Sequence, residues 1–282
     1  MWILTILAHL FSNTGYSVLL RNAASVRKVD PLFLAAIMTT AIAIPAAFAI
    51  FIAKIDWSLL DLRLALMYIA TIVLTLGFHM VNPKALELTE ASVFAFIFNI
   101  RLGFVTLIGI FFLGEPVVGL RLVGGALVFV AGFMLAGKAV ARPISVFYSI
   151  LSAVISAVFT AFEKYMITEV GYATYVFPSA LIIAALMWAI VLAGKRPIDK
   201  GFITSKGFGA LLVFRCISAY GFTLSLILGA FFSVATYISA LNCITTPIVA
   251  VLILKETDNL PKKIAAGVIA LAGATLIFLA NR

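Results

Sequence analysis

Charged residues are scarce in this sequence: Asp, Glu, Lys and Arg together make up 11% of its 282 residues. Water-soluble domains carry about 25% charged and about 45–50% apolar residues. Here 64% of the residues are hydrophobic, and the mean hydropathy is +1.21. A chain of this length cannot hide so many apolar side chains in one core, so lipid must be the solvent for most of them.

Cysteine and histidine are almost absent, with two residues of each. Cys216 and Cys243 both fall inside long apolar runs, which argues against a structural disulfide and against a metal site. The sequence contains no phosphate-binding loop, and the one conceivable hydrolytic pair, His9 with Ser12, has no third member. We therefore expect neither an enzyme nor a bound cofactor or metal.

Acidic residues are fewer than basic ones, which gives a formal net charge of +9. A basic protein can be a nucleic-acid binder when its positive charges gather on one soluble face. Here the Lys and Arg residues are scattered over short polar segments between apolar runs. The charge therefore predicts no nucleic-acid partner and is better explained by membrane topology.

Long apolar runs are what the sequence has in abundance. A helix needs about 20 mostly apolar residues to cross about 30 Å of hydrocarbon, and runs such as 122–135 do not alternate as barrel strands do. The runs are residues 2–20, 32–53, 63–82, 89–113, 121–137, 144–163, 172–193, 207–229, 231–254 and 263–281. The sequence thus predicts an all-α, multi-pass integral membrane protein with ten transmembrane helices. The first run lacks the flanking features of a removable signal peptide.

The two halves of the sequence have similar features at equivalent positions. Glu115 follows one long apolar run, and Glu256 follows another 141 positions later, half of the chain length. The same shift aligns a basic residue and a glycine-rich run after each glutamate. We expect a first five-helix repeat over 1–141 and a second over 142–282. Because five is odd, the second repeat enters the membrane upside down, an arrangement typical of alternating-access transporters.

Residues that recur in the two halves also resemble those of a known family. Residues 85–92 (ALELTEAS), Gly114–Glu115 and Lys255–Glu256 are similar to recurring features of the EamA-type transporters of the drug/metabolite transporter superfamily. The resemblance covers nearly the whole chain but names no substrate. It implies a 5+5 inverted bundle, a central cavity lined by helices 1, 3, 4, 6, 8 and 9, and cytoplasmic termini. The expected location is a bacterial or archaeal inner membrane.

Two arguments about orientation disagree. Ten spans put both termini on one side, and the loops on the opposite side carry thirteen basic residues against five. The positive-inside bias then places the termini outside the cytoplasm, whereas the family resemblance places them inside. The first loop, 21–30, is unusually basic for a loop expected outside. Both orientations stay open.

Two arginines fall inside apolar runs. Arg101 lies about 12 residues from either end of the fourth run, or roughly 18 Å at 1.5 Å per residue, so its side chain cannot reach the interface. Burying it in lipid would cost about 2.5–3.5 kcal/mol, and Arg215 raises the same problem. We expect both to face a wet cavity and to bind an anionic group, which suits the guanidinium fork. The alternative is a structural role, with Arg101 bonded to helix-end carbonyls or to an acid such as Glu90.

Polar residues on the runs expected around the cavity extend this candidate site. The shift of 141 places Asn242 opposite Arg101, so the fourth and ninth runs are both polar at equivalent positions. Either histidine could carry a proton for coupling, although a buried histidine is more often only hydrogen-bonded. The candidate substrate-binding residues are Arg101, Arg215, Asn242, Ser239, His9, Asn13, His79 and Ser156.

The positions of acidic and small residues narrow the function further. No carboxylate is expected in the middle of a span, because the acids, Glu163 among them, fall near the ends of the runs. An exporter that exchanges cationic drugs for protons needs such a carboxylate, so this class is disfavoured. Small residues crowd the fifth and tenth runs, and we expect these spans to form scaffold or a homodimer contact.

These observations together predict a secondary transporter of a small organic metabolite that works by alternating access. Its substrate is expected to carry an anionic group held by the membrane-buried arginines. The alternatives are a transporter of neutral or zwitterionic metabolites, such as amino acids, and a lipid-handling flippase. The predicted partners are the substrate and the lipid bilayer.

Overall fold

The computed structural model describes residues 2–113, 118–139, 143–228, 232–255 and 260–280. Its regular structure is helical throughout, with no strand in these ranges. The α-helices are α1 (Trp2–Arg21), α2 (Pro31–Ala49), α3 (Leu62–Leu88), α4 (Ala91–Phe98), α5 (Arg101–Leu113), α6 (Gly119–Ala139), α7 (Pro143–Val170), α8 (Tyr172–Ala193), α9 (Lys200–Ile203), α10 (Lys206–Ile227), α11 (Phe232–Ala240), α12 (Asn242–Leu254) and α13 (Leu260–Leu279). A π-helical turn follows α1 at Asn22–Val26, and a 3₁₀ turn at Trp57–Leu59 precedes α3. The prediction of an all-α chain is confirmed for these residues.

Aspartates begin several of the helices. The side chain of Asp30 accepts hydrogen bonds from the amides of the second and third residues of α2, whose first residue is Pro31. Asp61 caps α3 in the same way, and Asp199 caps the short α9. These side chains satisfy amides that lack partners within the helix. In the loop before α3, hydrogen bonds from Ser58 lower the pKa of the Asp56 carboxyl.

Seven helical segments of the described chain are long and apolar enough to cross a membrane. They are Trp2–Val26, Pro31–Ala49, Leu62–Leu88, Val93–Phe112, Pro143–Val170, Tyr172–Ala193 and Lys206–Ile227. The predicted spans at 121–137, 231–254 and 263–281 are also largely helical, as α6, α11 with α12, and α13, but they are not among the seven. The chain is therefore a multi-pass membrane protein, and the count of ten spans stays a prediction. Glu115 and Glu256 lie outside the described residues.

The fourth and ninth apolar runs are each interrupted near the middle. The fourth run is split into α4 and α5 at Asn99–Ile100, and the run at 231–254 is split into α11 and α12 at Leu241. The amide of Ile100 bonds to the carbonyl of Ile97 and that of Leu241 to Ile238, so both breaks are turns of the tighter 3₁₀ type. The Asn99 side chain donates from Nδ2 to the Ala240 carbonyl at 2.9 Å, which joins the two breaks.

Two groups of helices pack closely in the bundle. The largest cluster of buried apolar residues joins α1, α2, α3, α7, α8 and α10. The helices α6 and α13 pack against each other, and their small residues allow a close approach: a Cβ atom on Gly273 would lie 2.6 Å from the Gly124 carbonyl oxygen. The expectation of a scaffold formed by these two spans agrees with this contact. The homodimer contact stays a prediction.

Candidate functional site

A cavity of about 200 Å³ lies among the helices. The helices expected from the family resemblance contribute to its wall, as α1, α3, α4 with α5, α7, α10, and α11 with α12. Two helices that were not expected, α2 and α8, line it as well, through residues such as Thr39 and Tyr175. The structure places all of the predicted site residues on this wall: His9, Asn13, His79, Arg101, Ser156, Arg215, Ser239 and Asn242. That they bind a substrate stays a prediction.

Arg101 is the first residue of α5 and projects from the break in the fourth run. Its Nη2 donates to Ser239 Oγ at 2.9 Å, its Nη1 reaches Ser156 Oγ at 3.5 Å, and its guanidinium lies 4.7 Å from the ring centre of Phe98. Its Nε is buried without a hydrogen-bond partner. Within the described chain no carboxylate lies at ion-pair distance from it, so the positive charge is available to the cavity.

Glu90, which the sequence offered as a structural partner for Arg101, binds elsewhere. Its carboxylate lies 2.9 Å from the Nζ of Lys263, whose side chain is only 2% exposed. This ion pair joins the start of α4 to the start of α13. The alternative of an Arg101–Glu90 pair is therefore wrong for this structure.

Arg215 enters the cavity from α10. Its guanidinium lies 5.2 Å from the ring centre of Tyr16, a distance at which a cation and an aromatic face attract each other. Tyr16 is held by two hydrogen bonds, one donated to Met38 Sδ and one accepted from Asn82. The Nε of Arg215 is also buried and unpartnered.

His9 connects three helices through its ring. Its Nδ1 lies 2.6 Å from the carbonyl oxygen of Ser218 on α10, and its Nε2 lies 2.9 Å from Ser239 Oγ on α11. A carbonyl can only accept, so Nδ1 carries the proton and neutral Nε2 accepts from the serine hydroxyl. Ser239 then donates to His9 while it accepts from Arg101. This chain of bonds fixes the tautomer of the histidine and the direction of the arginine.

The amide side chains beside His9 have different surroundings. The Asn242 carbonyl oxygen accepts from Thr14 and from Thr246, both at 2.7 Å, so this residue ties α12 to α1. Asn13 accepts a long hydrogen bond of 3.4 Å from Ser218. Asn242 thus has a clear packing role in addition to its place on the wall.

His79 approaches from α3 and contacts the ring of Phe78 edge-on, with 5.5 Å between the ring centres. Its Nδ1 is the third buried polar atom of the described chain that has no partner, after the two arginine Nε atoms. All three atoms belong to residues that line the same cavity. Buried polar groups are nearly always hydrogen-bonded in folded proteins. Three such exceptions lie on one wall of the cavity.

Not every polar residue of the helices around the cavity reaches it. Ser156 and Thr160 of α7 line it, whereas Ser149 and Ser152 are buried against α3 and its end, near Thr89 and Asn82. Hydroxyl groups of Thr71, Ser225 and Thr246 bond to nearby groups of their own helices and are absent from the wall. Such side chains stabilise helix packing instead.

Glu163, which the sequence places near the end of a span, lies further inside its helix in the structure. The sixth apolar run ends at this residue, but α7 continues for seven more residues to Val170. Glu163 is therefore about two turns inside the helix, and it lines the cavity. The sequence offered one usable signal, because Ser156, Thr160 and Glu163 share one helical face. The described residues hold no group of three or more metal-ligating side chains.

Comparison with known proteins gives this wall a context. The model of the EamA-like transporter family matches residues 1–137. Over these residues the chain is similar to the EamA-like transporter family. The resemblance seen in the sequence is thereby confirmed over residues 1–137, and this likeness indicates a membrane transporter of small molecules. No match was found among curated proteins.

Solved structures share the fold. Twenty-five of their chains match this one, among them one described only as a crystal structure of a protein. It superposes on the whole of this chain and over all of its own length, with a TM-score of 0.72 and 15% sequence identity. At that identity the likeness concerns the fold alone.

Proposed function

We propose that this EamA-like protein is a secondary transporter of a small organic metabolite, and that Arg101 and Arg215 bind an anionic group of the substrate. The observation that carries the proposal is the set of three unpartnered buried nitrogen atoms around one cavity, two of which belong to these arginines. An unpaired buried charge is costly. A carboxylate or phosphate in the cavity would supply both the missing counter-charge and the missing hydrogen-bond acceptors.

The size of the cavity supports a small substrate. Pockets for drug-sized ligands measure roughly 300–1,000 Å³, and this one measures about 200 Å³. The amides at the two helix breaks are bonded within their own 3₁₀ turns. The anion is therefore held by side chains rather than by free helix ends.

Alternating access by two inverted repeats is the mechanism that we infer. The break at Ile100 and the break at Leu241 are separated by the same 141 positions that relate Glu115 to Glu256. The backbone hydrogen bonds at the two breaks also repeat with this shift. The side chain of Asn99 donates to the carbonyl of Ala240, the residue that the same shift relates to Asn99. These coincidences support ten spans divided into repeats at 1–141 and 142–282, with the two broken helices crossing at the centre.

Binding of an anion tests the proposal directly. The purified protein in detergent should be stabilised against heat by small carboxylates or by phosphate, and an uncharged analogue of the same size should have a smaller effect. Arg101→Ala should weaken the response at least tenfold, and Arg101→Lys should recover only part of it because an ammonium lacks the guanidinium fork. Arg63→Ala, an exposed arginine outside the cavity, is the matched control.

The alternatives predict different responses in the same assay. A carrier of neutral solutes would be stabilised equally by charged and uncharged analogues. Stabilisation by phospholipid alone would favour the flippase. Unchanged anion binding in both Arg101→Ala and Arg215→Ala would refute the proposal, provided that the variants are folded.

A further inference from the structure

The carboxyl group of Glu163 lies on the wall that also presents two arginines. In the part of the chain that the structure describes, it makes no hydrogen bond and no ion pair within 4.0 Å. The charge of Arg215 acts on it only from a greater distance. A carboxylate that shares a cavity with two guanidinium groups and pairs with neither is free to bind a ligand.

Arg101 and Glu163 occupy different levels of the cavity. Ser156, which contacts Arg101, and Glu163 lie seven residues apart on one face of α7, or about 10 Å along the helix axis at 1.5 Å per residue. Helical side chains lean toward the N-terminus of their helix, which shortens this separation for Glu163. The cavity therefore has a positive pole at Arg101 and a negative pole several bond lengths away.

Aromatic rings accompany the negative pole. Phe159 precedes Glu163 by one helical turn and lines the cavity with it. Tyr175, from the start of α8, also lines the cavity and lies within electrostatic range of the carboxylate. A carboxylate combined with aromatic faces is the composition of a site for an organic ammonium group, because both attract positive charge.

We propose that Glu163 binds an ammonium group on the same substrate whose anionic group is held by Arg101. The proposal rests on the proposed function and deepens it. The substrate class that fits is an amphoteric molecule whose amine and acid are separated by several bonds, as in an ω-amino acid. In an α-amino acid the ammonium and carboxylate groups are attached to the same carbon atom, so the molecule is too short to reach both poles.

A series of matched acids tests this geometry. Glycine, 4-aminobutyrate and 6-aminohexanoate are compared with butyrate and hexanoate by ligand-induced thermal stabilisation of the purified protein. We expect the wild type to bind 6-aminohexanoate at least tenfold more tightly than hexanoate and more tightly than glycine. Glu163→Gln should remove the preference for the amine and leave hexanoate binding in place. Glu169→Gln, an exposed acid on the same helix, should behave as the wild type does.

The outcomes separate this inference from the proposed function. If no carboxylate binds in a way that depends on Arg101, the proposed function fails. If carboxylates bind through Arg101 but Glu163→Gln keeps the preference for the amine, only the ammonium site is refuted. An equal loss of hexanoate and 6-aminohexanoate binding in Glu163→Gln would also refute it, because that result indicates a structural role. A variant that loses only the pH dependence of hexanoate binding would show a proton site instead.

Discussion

At the scale of single residues, His9 joins α1 to two other helices with two hydrogen bonds. Side-chain hydrogen bonds in membrane proteins contribute on average about 0.6 and at most about 1.7 kcal/mol each. His9→Phe keeps an aromatic ring beside Phe222 but removes both bonds. We expect a loss of about 1–3 kcal/mol, measured as a lower melting temperature in detergent.

Ser218→Ala is the matched control for this change. The Ser218 carbonyl, not its hydroxyl, accepts the short bond from His9, so the alanine variant keeps that bond. It should melt within a few degrees of the wild type. Equal destabilisation in both variants would show that the hydroxyl, rather than the bond to the ring, is what matters.

The sequence located the positive residues of the cavity but not the negative one. Arg101 and Arg215 were recognisable because an arginine far inside an apolar run has no route to water. Glu163 was missed because it stands next to Lys164 at the apparent end of a run, where charged residues ordinarily meet the interface. Only the continuation of α7 to Val170 shows that this position is inside the bundle.

At the scale of helices, the contact between α6 and α13 depends on a missing side chain. A Cβ atom at Gly273 would lie 2.6 Å from a backbone oxygen of α6 and 2.9 Å from Val128 Cγ2. The backbone cannot yield as a flexible side chain would, so Gly273→Ala must push the helices apart. We expect a destabilisation of roughly 1–3 kcal/mol, as for other overpacked sites, measured by thermal unfolding.

Gly267→Ala on the same helix serves as the comparison. The nearest atom to its added Cβ is Ile244 Cγ1 at 4.0 Å, an ordinary contact. This variant should unfold at or slightly above the wild-type temperature, because alanine also favours the helix. If the two alanine variants were equally stable, the close approach of α6 and α13 would be contradicted.

Helix positions were largely predictable, and helix interruptions were not. Apolar run length placed most helix ends within a few residues because lipid demands about 20 apolar residues per span. The exceptions are α3 and α7, which extend six and seven residues beyond the predicted runs. The breaks at Asn99–Ile100 and at Leu241 carry neither proline nor glycine, the residues that usually mark a kink. They depend on contacts between distant helices, such as that of Asn99 with Ala240, which no local pattern reveals.

At the scale of the whole molecule, ten spans require both termini to lie on one side of the membrane. Tags at the two ends should be equally accessible in intact cells, and a tag in the loop after Ala193 should show the opposite behaviour. Accessibility is measured with membrane-impermeant antibodies, with permeabilised cells as the control. Termini on opposite sides would contradict the even number of spans.

The same measurement chooses between the two orientations. Inaccessible end tags would agree with the family resemblance, and accessible ones with the bias of thirteen basic residues against five. Sequence could not decide this, because charge counts and family likeness depend on different physical causes.

Because Ser239 bonds to both Arg101 and His9, the His9 ring can report whether a ligand occupies the cavity. The Ser239 hydroxyl accepts a hydrogen bond from Arg101 and donates one to His9. A ligand that displaces the guanidinium therefore changes the electronic surroundings of the imidazole. The chain has only two histidines, and nitrogen-15 resonances from so few rings are readily assigned. Binding of an unlabelled ligand can therefore be followed by magnetic resonance of the nitrogen-15-labelled protein, without a transport assay.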